Sequence, residues 1–159
     1  MTANGKTGLL VYTATQAARN RFAIDTMVEA ARRNGVELIP VRSDGAIDTD
    51  VLLGGDAYSA ARRAMDLPSI SLCVDGDREN PCYIELDNGR IFDKSNLSFA
   101  IPRGPFGMLH AHLDDMGVPS FNPSSFAAVA NSKIATLRMT SRRGIRFKPV
   151  RAMRDIASM

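Results

Sequence analysis

Residues 9–41 read LLVYTATQAARNRFAIDTMVEAARRNGVELIPV, and two changes of period within that stretch decide the fold. Leu9 to Thr13 (LLVYT) is a short apolar run rich in strand formers. From Ala14 to Arg33 the spacing becomes helical, with Ile24, Met27, Val28 and Ala31 falling on one face. Gly35 follows Asn34 where a helix terminator belongs, because glycine enters the left-handed region without steric penalty. Val36 to Val41 (VELIPV) then resumes an extended pattern. Strand, helix and strand at this spacing make a βαβ unit, which requires parallel strands and a right-handed crossover. The expected class is α/β, a mainly parallel sheet flanked by helices.

Working outward, residues 43–56 (SDGAIDTDVLLGGD) are rich in Asp and Gly and read as loop, and Ala57 to Met65 as a short helix. Ile70 to Val74 (ISLCV) reads as a strand and Asp75 to Pro81 as a polar turn. Cys82 to Leu86 and Arg90 to Phe92 flank Asp87, Asn88 and Gly89, which predicts a hairpin closed by an Asn-Gly type I′ turn and adding an antiparallel edge to the sheet. Leu97 to Ile101 (LSFAI) is a further strand, ended by Pro102, Gly104 and Pro105. Met108 to Met116 is helical, with Leu109, Leu113 and Met116 on one face; Gly117 caps it, and Val118 to Phe121 forms a short strand. Beyond Pro123 the pattern is helical again. Ser124 or Ser125 is placed to cap a first short helix and Ser132 a second, which Gly144 ends. Residues 1–123 thus read as one α/β domain and 124–159 as a helical linker leading into something further.

The chain carries a net charge of +3 that conceals a split. Residues 1–131 hold 12 basic and 16 acidic side chains, while 132–159 hold eight basic and one acidic. A tail of that kind suits nucleic acid, phosphate or an acidic partner, or is a solvated helix face. At 45% hydrophobic and 23% charged residues the composition is that of a folding globular chain. No apolar run approaches the ~20 residues that cross a bilayer, and Met1 to Lys6 is polar without the apolar region of a signal peptide. A cytoplasmic protein without a membrane partner is expected. Cys73 and Cys82, the only cysteines, match neither a CxxC redox pair nor a zinc knuckle and read as reduced packing residues.

Few residues carry chemistry. Gly54-Gly55 and Gly104-Pro105-Phe106-Gly107 fit neither GxGxxG nor a phosphate-binding loop ending in Gly-Lys-Ser/Thr. His110 and His112, two apart on a helix, point to different faces and cannot converge on one metal. Asp75, Asp77 and Glu79 alternate in a turn but lack the further oxygen ligands of a calcium loop. Asp114-Asp115 reads as a solvated helix end. Arg103 stands just past a strand end, where α/β sheets bind ligands: its guanidinium either meets a carboxylate or phosphate or pins the loop through a salt bridge. No catalytic residue and no metal ligand is expected in this chain.

The stretch from Ile101 to Pro149 combines IPRGP, a helix running into MGVPSFNPSSFAAVANSK, then IATLRMTSRRGIRFKP. That order resembles the ATP-grasp ligases, most closely the RimK type that adds glutamate to a ribosomal protein. The resemblance covers about a third of the chain closely. It extends in compatible form over the βαβ unit, which looks like a pre-ATP-grasp, Rossmann-like domain. It implies that Lys133 contacts ATP phosphates, that Arg103 lies on the substrate side and that Asn122 occupies the linking segment of the substrate site. Where the family usually has Asp immediately before the lysine, this chain has Ser132. A lysine that opens a helix is structurally neutral in most proteins, but an ammonium also suits a phosphate.

The resemblance further implies ATP and magnesium as cofactors of the intact enzyme, held between two lobes, with Asp, Glu and Asn of the later lobe on the metal. It implies an amino-acid or peptide carboxylate as substrate. On this reading the chain is the front portion with a truncated start of the nucleotide lobe, inactive and without tight ATP binding by itself. Its expected partners are a separate ATP-grasp lobe or, through exposed Ile134, Leu137, Ile145 and Phe147, further copies of itself. A standalone noncatalytic binding module and a nucleic-acid binder acting through the basic tail are the competing readings.

Overall fold

The computed structural model describes residues 5–43, 66–104, 106–123, 125–126 and 133–144, with Lys133 and Ile134 described by backbone alone. The loop and helix expected between Asp44 and Met65, the caps Ser124 and Ser132, and the tail from Ile145 lie outside the described residues.

The elements are β1 (Lys6–Thr13), α1 (Ala14–Arg19), α2 (Arg21–Arg33), β2 (Val36–Ser43), β3 (Ile70–Val74), β4 (Cys82–Leu86), β5 (Ile91–Phe92), β6 (Phe99–Pro102), α3 (Gly107–Met116) and α4 (Lys133–Arg142). Strand β1 is central and pairs in parallel with β2, Leu9 opposite Ile39, and with β6, Leu9 opposite Ala100. Single parallel bridges extend this sheet on both sides, Arg42 to Ser69 beyond β2 and Ala100 to Ser120 beyond β6. The chain therefore winds outward from β1 in two directions. A right-handed crossover puts the connecting helix on opposite faces for opposite directions, so α2 and α3 cover different sides.

Strand alternation sorts the core accordingly. Leu9, Val11, Val41 and Ala100 face Leu109, Leu113 and Met116 of α3 together with Ile84, Leu86 and Phe92. Leu10, Tyr12 and Leu38 face Ala17, Ile24, Met27, Val28 and Ala31 of α1 and α2. The βαβ unit follows from the period changes in residues 9–41, while α3 and the hairpin cover the other face of the sheet.

Three local expectations are corrected. The single helix from Ala14 to Arg33 is two: at Asn20 the backbone leaves helical geometry (φ −107°, ψ 17°), and the Asn20 amide donates to the Gln16 carbonyl at 2.7 Å. An asparagine that bonds its own backbone competes with the helical ladder. The hairpin turn is not type I′, which needs positive φ at both central residues. Gly89 has φ +82° but Asn88 is not in that region. Gly89 N–H donates to Leu86 O at 2.8 Å and Leu86 N–H to Arg90 O at 2.9 Å, so three residues close the hairpin as a tight turn followed by a glycine bulge.

The hairpin also does not extend the parallel sheet. It joins β3 in a separate antiparallel sheet ordered β3-β4-β5. Ile84, Leu86 and Phe92 are buried against β1 and β2, and burying such side chains is worth ~1.5–3 kcal/mol each, which edge pairing would forgo. Glu37 of β2 ties the hairpin down by a bidentate pair with Arg90 at 2.9 and 2.8 Å.

Cys73 lies opposite Tyr83, and Cys82 opposite Val74. The two thiols therefore point to opposite faces of one sheet and stay free, as expected. Among the described residues no helix is long and apolar enough to cross a membrane.

Candidate functional site

The order of the parallel sheet reverses between β1 and β6, whose connections leave on opposite faces. In open α/β sheets that divergence opens a crevice at the carboxyl ends of the strands. Thr13 ends β1 and caps α1: its hydroxyl accepts from Gln16 N–H at 3.2 Å, and Gln16 Oε1 accepts from Thr13 N–H at 3.4 Å. The signature Thr-x-x-Gln of this reciprocal cap is visible in the sequence. It agrees with the helix start read at Ala14 from the change of period.

Across the crevice, Arg103 N–H donates to Val11 O at 2.8 Å, fixing the exit of β6 against β1. Gly104 follows where a side chain has no room. A Cβ there would stand 2.8 Å from the Phe106 ring and 3.2 Å from Gln16 Oε1. Phe106 is itself buried in the core, so the turn is clamped between a packed ring and the α1 cap. Gly104 thus serves close packing, while Gly107 has no neighbour that a Cβ would meet.

With its backbone held, the Arg103 guanidinium projects outward: the residue is exposed and makes no side-chain hydrogen bond or ion pair among the described residues. The contrast with other arginines is informative. Arg21 pairs with Asp66, Arg32 and Arg33 with Glu29, Arg42 with Asp87 and Arg90 with Glu37. Arg78 lies over the Tyr83 ring at 4.2 Å. Of the two readings of Arg103, a loop-pinning salt bridge has no carboxylate to form with among the described residues.

Asn122 stands past the neighbouring strand end, two residues after Ser120, and so shares the carboxyl edge with Arg103. It is exposed and holds φ +63°, a conformation that Asn tolerates better than most residues. Its carbonyl accepts from the Ser120 hydroxyl at 3.4 Å. Lys133 is the first residue of α4, and its side chain lies outside the description. The structure therefore brings Arg103 and Asn122 to one edge.

One feature of this edge escaped the sequence reading. Thr15, in the first turn of α1, is buried, and its hydroxyl has no hydrogen-bond partner among the described residues. No composition or spacing signal marks it, since burial of a helix-start threonine depends on what packs over it.

The two histidines reach different neighbours. His112 Nε2 lies 2.9 Å from Tyr83 O, joining α3 to β4, while His110 Nδ1 lies 3.5 Å from Ser120 Oγ on the other side of the helix. Both are buried, and burial pushes the His110 imidazole below its usual range against a smaller opposing pull from Asp114. Among the described residues no group of three or more His, Cys, Asp or Glu could hold a metal ion. An exposed guanidinium at this edge suits an anion, and among the described residues no nucleophile is paired with a base. No known protein family, curated protein or solved structure matches this chain.

Proposed function

We propose that this chain is the front part, a Rossmann-like pre-ATP-grasp domain and the start of the next lobe, of an ATP-dependent carboxylate–amine ligase similar to the RimK type. The observation that carries the reading is Arg103: an exposed guanidinium, without a partner among the described residues, held by its backbone at the strand end beside the sheet's reversal point. A planar fork of that kind suits a carboxylate or phosphate. Asn122 on the neighbouring strand end adds an amide to the same substrate edge.

In the intact enzyme ATP would supply the phosphoryl group that converts a carboxylate to an acyl phosphate, from which an amine displaces phosphate. Within that scheme Arg103 orients the anionic substrate and Lys133 binds ATP phosphate oxygens. The described residues do not fit magnesium, so no step at the metal is assigned to them. This portion by itself is inactive. Its partner is the nucleotide-binding lobe, and the substrate an amino-acid or peptide carboxylate.

Two measurements test the proposal. Titration calorimetry with ATP and magnesium should show no micromolar binding to the chain alone; such binding would sink the claim that a second lobe completes the cleft. Co-expression with the product of the downstream reading frame should yield ATP-dependent ADP release in the presence of a carboxylate and glutamate. Arg103→Ala should lower that rate at least about tenfold, as expected for a lost charge-assisted contact. A downstream frame without a nucleotide-binding lobe, or turnover indifferent to Arg103, refutes it. A noncatalytic binding module is the second reading, favoured by the three layers closing a core of their own; saturable binding of a small carboxylate without any turnover would select it.

A further inference from the structure

Between Asp115 and Asp155 the sequence contains no carboxylate but eight Lys or Arg residues, and α4 lies inside that stretch. Ala135, Arg138, Met139 and Arg142 recur at helical spacing on one face of α4. With Arg143 they line an open concavity of about 490 Å³ whose wall is almost wholly apolar, built of Ala135, Met139 and arginine methylene stems. Arg138, Arg142 and Arg143 are exposed and make no ion pair among the described residues. The face is therefore an apolar cup rimmed by guanidinium groups.

A surface of inverse character lies at the end of β3. Val74 is 73% exposed, and the turn after it carries Asp77 and Glu79, both exposed and without a cation partner among the described residues. Arg78 between them is turned back over Tyr83. This patch offers an apolar side chain beside two carboxylates that pair with no cation among the described residues. It opposes the α4 cup in charge.

We propose that the Arg138, Met139, Arg142 and Arg143 face of α4 docks on the Val74, Asp77 and Glu79 turn of a second copy of this chain. Each copy carries both patches, so a two-fold arrangement makes the contact twice and closes on itself. Nucleic acid fits the cup less well, because single-stranded binding relies on aromatic platforms and the α4 face has none. A membrane surface calls for bulky apolar residues opposite the cations, and Ala135 and Met139 form only a narrow strip. Exposed ion pairs are individually weak and screened by salt, so the dimer is reversible and salt-sensitive. This inference stands apart from the ligase reading, since association is measured without ATP.

Sedimentation velocity at about 0.02 M and about 0.5 M salt supplies the test. The expected result is a concentration-dependent dimer at low salt that weakens at least about tenfold at high salt. Arg138→Glu with Arg142→Glu, and separately Asp77→Lys with Glu79→Lys, should each give a monomer with an unchanged circular dichroism spectrum, all four positions being exposed. Mixing the two variants in equal amounts should restore a one-to-one complex, because each mutated patch then meets its complement. A wild-type monomer at low salt, a dimer that survives either reversal, or variants that fail to rescue each other overturns the proposal. So does a monomeric wild type whose α4 arginines are needed instead for binding an RNA oligonucleotide.

Discussion

Single residues set the distances at which this sheet packs. Gly8 lies in β1 where a Cβ would fall 2.3 to 2.8 Å from three atoms of the Phe99 ring, so the glycine is what lets that ring lie across the strand. Phe99 in turn meets Phe121 edge-on at 6.2 Å, continuing the apolar surface toward the Ser120 bridge. Gly8→Ala should displace the ring and destabilise the fold by ~1–3 kcal/mol, the usual range for overpacking. Urea unfolding checks it, and an unchanged midpoint would mean that Phe99 has room to move. Gly104 is tight for a related reason, but there the neighbours are a buried ring and a helix cap rather than a partly buried ring.

At the level of elements, ends and breaks decide more than propensity. Helix α1 is only six residues long, too short to persist unaided, and it stands because Thr13 and Gln16 satisfy each other's backbone and Ala17 packs on the sheet. Thr13→Ala removes the hydroxyl half of the cap and should lower stability by ~1 kcal/mol. Hydrogen exchange at the Gln16 amide, faster in the variant than in the parent, would localise the loss to that cap; uniform change across the protein would argue against it. Asn20 leaves helical geometry between α1 and α2, and Ile24 of α2 packs in one cluster with Leu10. In the hairpin, a left-handed Gly89 closes the turn between β4 and β5, and Ile84, Leu86 and Phe92 bury its inner face in the core.

Across the whole molecule α3 is the joint between its two sheets. Leu113 is fully buried there, and the two histidines reach in different directions, His112 to β4 and His110 toward Ser120. The groups facing His110 are the Ser120 hydroxyl and, one turn along its own helix, the Asp114 carboxylate. Because burial depresses the His110 pKa below its ordinary value of 6.5, the unfolded chain takes up a proton first as the pH falls. That contribution to stability is present above the unfolded pKa and is lost as pH drops through it toward the folded pKa. Between about pH 7.5 and pH 5 the wild type should therefore lose more stability than His110→Asn, measured by urea midpoints. Equal losses in the two proteins would show that His110 protonates freely in the folded state.

What the sequence determined alone was local and periodic. The switch from strand to helix spacing at Ala14, the return to extended chain at Val36, the left-handed glycines at 35, 117 and 144, and the apolar face of Leu109, Leu113 and Met116 all appear in the structure. Each depends on neighbours a few residues away, so each is legible in one dimension. The same holds for Arg103, whose place past a strand end could be read from the Pro-Arg-Gly-Pro stretch. Tertiary structure decided which faces meet: that the hairpin covers β1 and β2 rather than extending the sheet, that His110 and His112 serve opposite neighbours, and that the Thr15 hydroxyl is buried without a partner among the described residues. It also decided that Arg103 keeps a free guanidinium among the described residues while Arg21, Arg32, Arg33, Arg42 and Arg90 find carboxylates. Whether a charge is paired depends on residues up to 53 positions away, as for Arg90 and Glu37, and separation of that kind is set by packing, not by pattern.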